Sequence, residues 1–203
     1  FPTMASPQSY YNDMVFGEAF AALPLGPDGS NVNIAFAIAA RAFSLRDLGP
    51  AMSPMNAFLI MTGCETLPLR MERHCANALT VAKHLSAHPK VSWVRYAGLE
   101  GDAHFDRAKK YLPKGAGAVF TFGLKGGHEA GVKLVEGVKL FSHLANIGDT
   151  RSLIIHPAST THSQLTDAQK TAAGAAPDTV RLSVGIEDAA DIIADLDQAL
   201  AAL

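Results

Sequence analysis

Arg181 is the residue of this sequence whose type and surroundings best suit the binding of a carboxylate. It lies in the segment 179–186, where β-strand alternation would place branched apolar side chains on one face and Arg181 on the other, among small residues. A guanidinium binds a carboxylate through two parallel hydrogen bonds, which fix the orientation of the bound group as well as its charge. An ordinary ion pair with a surface acid would also explain a single arginine in a strand, so the residue type alone leaves both interpretations open.

A loop before another apolar segment could supply the second part of such a site. Its residues, Asn146-Ile147-Gly148-Asp149-Thr150, combine an amide side chain, a permissive glycine and a turn-forming aspartate, so backbone N–H groups could point into a cleft. The segment 156–162, which contains Thr160, adds a proline turn rich in hydroxyl groups. Turn chemistry by itself also explains every residue of the loop, so a simple helix-to-strand connection remains the alternative.

Other kinds of site have weaker support. His156 and His162 are six residues apart with a proline between them, which is not a ligand spacing of known metal sites, and no acidic or cysteine cluster completes a set. The glycines Gly115 and Gly117 precede an apolar segment predicted as a strand, the reverse of the order in a dinucleotide-binding turn. The histidine spacing therefore predicts no metal site, and the order of the glycine segment and the strand predicts no dinucleotide-binding turn.

The elements that must position Arg181 and the loop alternate between strand and helix from Val91 onward. Strands are predicted at 91–96, 117–124, around 153–156 and at 179–186, with helices at 105–112, 128–141, 167–173 and 188–203. The last helix is predicted to be amphipathic, with an apolar face packed on the sheet and formed by Ile192, Ile193, Leu196, Leu200 and Leu203. Four short strands with interleaved helices predict a two-layer α/β sandwich, in which helices pack on one face of the sheet.

Helical patterns fill the preceding part of the chain. Helices are predicted at 33–48 and 55–63, the second capped by Ser53, and the longest one begins near Thr66. Along the longest helix, three- and four-residue spacing predicts one apolar stripe, formed by Leu67, Met71, Cys75, Ala78, Leu79, Ala82 and Leu85. His74 and Asn77 fall largely outside this stripe, and we expect His74 to be partly exposed.

Composition excludes several classes of protein. The 203 residues are 48% hydrophobic, which is enough for a buried core, and the formal net charge is -2 without a basic cluster. Nucleic acid and membrane are therefore not expected as partners, and no apolar run reaches the about 20 residues of a membrane helix. Cys64 and Cys75 lie in helical patterns, as expected for reduced thiols in a cytoplasmic protein.

Several segments together resemble one enzyme family. They are 146–162, 180–188, Ser53-Pro54-Met55-Asn56-Ala57-Phe58, the segment 63–74, the segment 91–99 and Gly115-Ala116-Gly117-Ala118-Val119-Phe120. From about Ala35 to the end, the chain resembles the carboxy-terminal half of the pyridoxal-phosphate-dependent enzymes of cysteine and methionine metabolism. Since the chain lacks an initiator methionine, we expect it to begin inside a longer protein.

The resemblance implies an architecture and a site. It implies the C-terminal α/β domain of a fold-type I transferase at 91–203, linking helices at 51–90, and the end of the cofactor domain with a connector at 1–50. Arg181 and Asn146 would bind the substrate α-carboxylate, with Ile147, Gly148 and Thr160 nearby. Pyridoxal phosphate would be held by a lysine upstream of this chain, so no catalytic residue is expected within it and the 203 residues alone should be inactive.

The resemblance also implies a reaction and its rivals. Asn146 with the residues that follow it favours the sulfhydrylase branch, which makes homocysteine from O-acetylhomoserine and sulfide by γ-replacement in methionine biosynthesis. Partners would be a small amino-acid substrate, the missing cofactor half and, in a homotetramer, further copies. The alternatives are a methionine or cystathionine γ-lyase, or a non-catalytic module that keeps the fold for assembly or amino-acid binding.

Overall fold

The computed structural model describes residues 2–203, with side chains described from Met4 onward. The chain forms two compact units, of which the first ends at Met61 and the second comprises Thr62–Leu203. The predicted division at residues 50 and 90 stays a prediction.

The first unit is built from short helices. They are α1 (Pro2–Ala5), a 3-10 turn (Ser9–Tyr11), α2 (Phe16–Ala19), α3 (Ala35–Ala39) and a π-helix (Ala40–Asp47). Phe16 is buried and its ring contacts those of Tyr11, Phe20 and Phe43 at centroid distances of 5.3, 5.6 and 5.0 Å. The helix predicted at 33–48 is thus present, but its second half is wound as a π-helix.

Helix α4 (Pro54–Glu65) continues the chain from the first unit into the second. Ser53 caps it as predicted, since the Ser53 Oγ accepts the backbone N–H of Asn56 at 3.2 Å. The long helix α5 (Leu67–Ala87) follows it in the chain and packs on the sheet of the second unit.

The sheet of the second unit has five strands, one more than predicted. They are β1 (Val91–Arg95), β2 (Val119–Leu124), β3 (Ser142–His143), β4 (Leu153–Ile155) and β5 (Thr179–Ser183). Their order across the sheet is β1-β2-β5-β4-β3, with antiparallel pairing except between β3 and β4. The predicted α/β class is confirmed, and the missed strand is β3, whose two residues are too few to show alternation.

The core lies between this sheet and the helices. Helices α6 (Phe105–Tyr111), α7 (Gly127–Gly137), α8 (Asp167–Ala172) and α9 (Ala189–Ala201) complete the second unit. Helix α9 packs against both α5 and α7, and its residues Ile192, Leu196 and Leu200 are fully buried in the core. The predicted apolar face of the last helix is therefore confirmed.

Helix α5 differs from its predicted stripe. Leu67 and Met71 are 41% and 36% exposed, whereas His74 and Asn77 are buried. The expectation of a partly exposed His74 was wrong because the segment after β5 passes over the helix and offers backbone carbonyls. The Nδ1–H of His74 donates to the Val184 carbonyl at 2.6 Å.

Both faces of β5 are enclosed. Val180, Leu182 and Val184 are fully buried, as the alternation predicts, but Thr179 and Ser183 on the opposite face are buried too. Since Thr179 and Ser183 on it are buried, the face that carries Arg181 is more enclosed than the sequence alone suggests. Within residues 2–203, no helix has the length and apolar character that crossing a membrane requires.

Candidate substrate-binding site

Arg181 and Asn146 meet in the structure although 35 residues separate them. Arg181 lies at the middle of β5, paired with Thr121 of β2 and Ile155 of β4, so the backbone beneath its side chain is held on both sides. Its Nη2 donates a hydrogen bond to the backbone carbonyl of Asn146 at 3.3 Å. The tertiary structure thus brings the two predicted carboxylate-binding residues together.

Arg181 is half-buried as a residue, and among the described residues its guanidinium forms no ion pair with an acidic side chain. In the part of the chain that the structure describes, the ion pairs join Arg73 to Asp188, His84 to Asp197 and Lys170 to Asp167. Among the described residues, the structure thus shows no acidic side chain that pairs with Arg181 as the surface ion-pair alternative requires. A guanidinium has five N–H donors, and those not bound to Asn146 are available for a ligand carboxylate.

The loop that carries Asn146 is stabilised by its own side chains. The Asn146 Oδ1 accepts the backbone N–H of Ile147 at 2.9 Å, and the Asp149 Oδ1 accepts that of Arg151 at 3.0 Å. Gly148 has a φ of 77°, a left-handed conformation that glycine adopts without strain. Ile147 is 71% exposed, so the tip of the loop presents apolar surface.

Thr160 follows the strand that pairs with Arg181. Strand β4 ends at Ile155, and the 3-10 turn Pro157–Ser159 then leads to Thr160, which is half-buried. The Thr160 hydroxyl donates to the His156 carbonyl at 2.8 Å. Its proton is therefore used within the turn, and toward a ligand this hydroxyl can act as an acceptor.

His156 is a structural residue that the sequence did not reveal as such. It is fully buried, its Nε2–H donates to the Pro177 carbonyl at 2.8 Å, and its Nδ1 lies 2.9 Å from the Ser159 Oγ. Burial lowers the pKa of His156 below its usual 6.5, and the hydrogen bond to the Pro177 carbonyl offsets part of this decrease. The neutral imidazole thus ties the turn before Thr160 to the segment before β5.

Comparison with known proteins identifies the family. The family profile described as "Cys/Met metabolism PLP-dependent enzyme" matches residues 29–201, which is most of the chain. This chain belongs to the Cys/Met metabolism family of pyridoxal-phosphate-dependent enzymes. The resemblance drawn from the sequence motifs is confirmed.

Named relatives in this family are similar along nearly the whole chain. The O-acetyl-L-homoserine sulfhydrylase of Leptospira meyeri is 52% identical, over 98% of this chain and 45% of the relative. The homocysteine synthase of Schizosaccharomyces pombe is 48% identical, over 98% of this chain and 44% of the relative. This family member thus spans about half the length of the curated relatives that it matches.

A solved structure in the family agrees with the fold. It is a crystal structure, from Campylobacter jejuni, of a protein described as an O-acetylhomoserine (thiol)-lyase with a pyridoxyl-lysine phosphate residue. It is 37% identical to this chain with a TM-score of 0.75, over 99% of this chain and 45% of that one. The predicted architecture, the C-terminal α/β domain of this family of pyridoxal-phosphate-dependent enzymes, is confirmed.

The family's cofactor does not fit the lysines of this chain. Lys90 donates to the Leu200 carbonyl at 2.8 Å, and Lys170 pairs with Asp167 at 3.6 Å; the other lysines are exposed. A Schiff-base lysine is activated by desolvation or by a neighbouring cation, and neither half-buried lysine offers a free amine of that kind. Among the described residues, no three His, Cys, Asp or Glu side chains cluster as metal ligands.

Proposed function

We propose that this chain is the substrate-orienting half of a sulfhydrylase that makes homocysteine from O-acetylhomoserine and sulfide by γ-replacement, a step of methionine biosynthesis. The observation that carries the proposal is Arg181: half-buried at the centre of the sheet, bonded to the Asn146 carbonyl and without an acidic partner among the described residues. The names of the similar proteins from Leptospira meyeri and Schizosaccharomyces pombe support the choice of reaction.

The proposed role of the site is orientation. The guanidinium of Arg181 would bind the α-carboxylate of the substrate through two parallel hydrogen bonds. The backbone carbonyl of Asn146 would hold the guanidinium in position. A carboxylate held at two points sets the direction of the bonds at Cα, and correct orientation of reacting groups lowers a barrier considerably. Ile147, Gly148 and Thr160 would line the same cleft.

Pyridoxal phosphate, when bound, would supply the electron-withdrawing chemistry of the reaction. Because the lysines of this chain do not fit the cofactor, we place the lysine that carries it upstream, in the remaining half of the protein.

Helix α4 supports the proposal that another half covers this chain. Met55, Leu59, Ile60 and Met61 are exposed by 64%, 60%, 53% and 69%. Consecutive residues of an α-helix are rotated by about 100° around its axis, so the side chains of residues 59–61 span more than half of the circumference. A helix with apolar side chains all around its circumference is normally buried in a folded protein. We propose that the half of the protein that binds the cofactor packs on helix α4. We also propose that the whole protein is a homotetramer in the cytoplasm.

The test uses the intact protein that contains this sequence. Purified protein should absorb in the visible range through its bound cofactor and convert O-acetylhomoserine and sulfide to homocysteine, measured by mass spectrometry. Release of a 2-oxo acid from methionine or cystathionine, without homocysteine formation, would support a γ-lyase instead. Absence of both cofactor and turnover would support the non-catalytic module.

A further inference from the structure

Glu187, which follows β5, forms a two-point hydrogen bond with Ser152 at the end of the Asn146 loop. The Glu187 Oε1 accepts the backbone N–H of Ser152 at 2.7 Å, and its Oε2 accepts the Ser152 hydroxyl at 2.9 Å. The same hydroxyl oxygen accepts the backbone N–H of Gly185 at 2.8 Å. Ser152 is fully buried and Glu187 is half-buried, so the pair is partly shielded from water.

The close approach of the two segments requires glycine at position 185. A Cβ on Gly185 would lie 2.5 Å from both the Ser152 nitrogen and the Thr150 carbonyl oxygen, and would also clash with the Glu187 carboxylate. Ile186 donates its N–H to the same Thr150 carbonyl at 2.9 Å. The last residues of the loop are thus bound directly to the segment 185–187.

Helix α5 holds the other side of that segment. The buried Asn77 donates its Nδ2–H groups to the carbonyls of Gly185 and Glu187, at 3.1 and 2.8 Å. Arg73 adds a hydrogen bond to the Glu187 carbonyl at 3.2 Å. The backbone of Glu187 is therefore anchored to the longest helix of the unit, and its carboxylate extends from a rigid base.

The loop is consequently attached both to β5 and to the segment that follows β5. Arg181 of β5 binds the Asn146 carbonyl at one end of the loop, while Ile186 and Glu187 of the following segment bind Thr150 and Ser152 at the other. Asn146 and Ser152 are six positions apart, so only five residues connect the end of the loop that Glu187 binds to the carbonyl that Arg181 binds.

We propose that Glu187 is a positioning residue of the carboxylate site: by fixing Ser152 it sets the loop that holds Asn146 against Arg181. The link to substrate binding rests on the proposed function, whereas the link to loop order does not. Glutamine at position 187 keeps the size of the side chain but has one acceptor oxygen for the two donors of Ser152.

The experiment compares Glu187→Gln with wild type in the intact, cofactor-loaded protein. We expect faster hydrogen–deuterium exchange in 146–153 and a KM for the amino-acid substrate raised about tenfold, the size of one lost charge-assisted hydrogen bond. The kcat and the cofactor absorbance should change much less. Glu136→Gln, on the exposed face of α7, is the matched control and should behave as wild type.

Three outcomes would overturn the proposal: wild-type exchange in the loop, an unchanged KM, or a lower melting temperature without either loop or KM effect. Should Glu187→Gln fail to fold, Ser152→Ala removes the hydroxyl that Glu187 binds and should give the same pattern. If wild type makes no homocysteine, the proposed function fails, but the exchange measurement still decides whether Glu187 orders the loop.

Discussion

Arg181 on β5 and Asn146 in the loop before β4 are joined by a hydrogen bond of 3.3 Å from the guanidinium to the backbone carbonyl. The contact uses the main chain of Asn146, so its side-chain amide remains free to bond its own loop, as it does to Ile147. The orientation of the Arg181 guanidinium thus depends on the backbone of the loop. A substitution of the Asn146 side chain alone would not remove this hydrogen bond.

Arg181→Lys in the intact protein should preserve the fold but remove the two parallel hydrogen bonds that a guanidinium can donate to a carboxylate. Lysine retains the charge but cannot form two parallel hydrogen bonds, and breaking a buried charge pair typically costs about 2–5 kcal/mol. We expect kcat/KM for O-acetylhomoserine to fall by roughly 30-fold to several-thousand-fold. An analogue without the α-carboxylate should lose far less, and equal loss on both compounds would show that Arg181 is structural.

Borohydride reduction of the intact protein should trap pyridoxyl-lysine outside these 203 residues. The lysines described here are exposed or bound to a carbonyl or carboxylate, so none fits a Schiff base. Peptide mass spectrometry locates the modified lysine. Stoichiometric label on Lys125 or Lys170 would disprove our assignment of the cofactor to the other half.

Asp195→Asn should destabilise the second unit. The buried Asp195 carboxylate accepts the backbone N–H groups of Lys139, Leu140 and Phe141 at 2.8, 2.8 and 3.2 Å. An amide has one acceptor for these three donors, so we expect the free energy of unfolding to fall by about 2–3 kcal/mol in denaturant melts. Asp191→Asn, exposed on the same helix, should stay within about 0.5 kcal/mol of wild type.

Leu196→Ala should also destabilise the protein, through a cavity under α9. Leu196 is fully buried in the core, and truncating such a residue typically costs about 2–5 kcal/mol. Ile193→Ala, one turn away and only partly buried, should cost less. The same denaturant melts measure both, and equal effects would place the two side chains in similar surroundings.

Stability should decrease as the pH falls below about 6.5, and His156 should account for part of this decrease. Its pKa is lowered in the folded state by burial, so the unfolded chain takes up a proton first. The contribution of His156 is complete above the unfolded pKa and is lost as the pH falls through the folded pKa. Melting temperatures between about pH 7.5 and 5 should show a flatter slope for His156→Gln than for wild type.

The matched control for His156 is His143→Gln, which changes an exposed histidine of β3. Its melting curve should keep the wild-type slope with pH. An identical slope in His156→Gln would assign the acid sensitivity to other groups.

Local periodicity was enough to predict much of this molecule. The alternation along 179–186 separated Arg181 from the core face of β5, and three- and four-residue spacing predicted the buried face of α9, because each pattern depends only on neighbours along the chain. The motifs around Arg181 and Asn146 likewise indicated the family, since they are contiguous in sequence.

Contacts across long stretches of chain were decided by the tertiary structure. Nothing near His74 or Asn77 in sequence indicates that both are buried, because their carbonyl partners lie more than 100 residues away, after β5. In sequence, Glu187 is likewise an ordinary acidic residue before a helix. Only the order of the strands brings Ser152 within hydrogen-bond distance of it. Residue types and their periodicity therefore predicted most of the elements, and the resemblance of contiguous motifs indicated the family and the candidate ligand-binding side chains. Only the packing of α5, β4 and β5 decided which polar groups hold the site in place, because a hydrogen bond depends on distance in space rather than on separation along the chain.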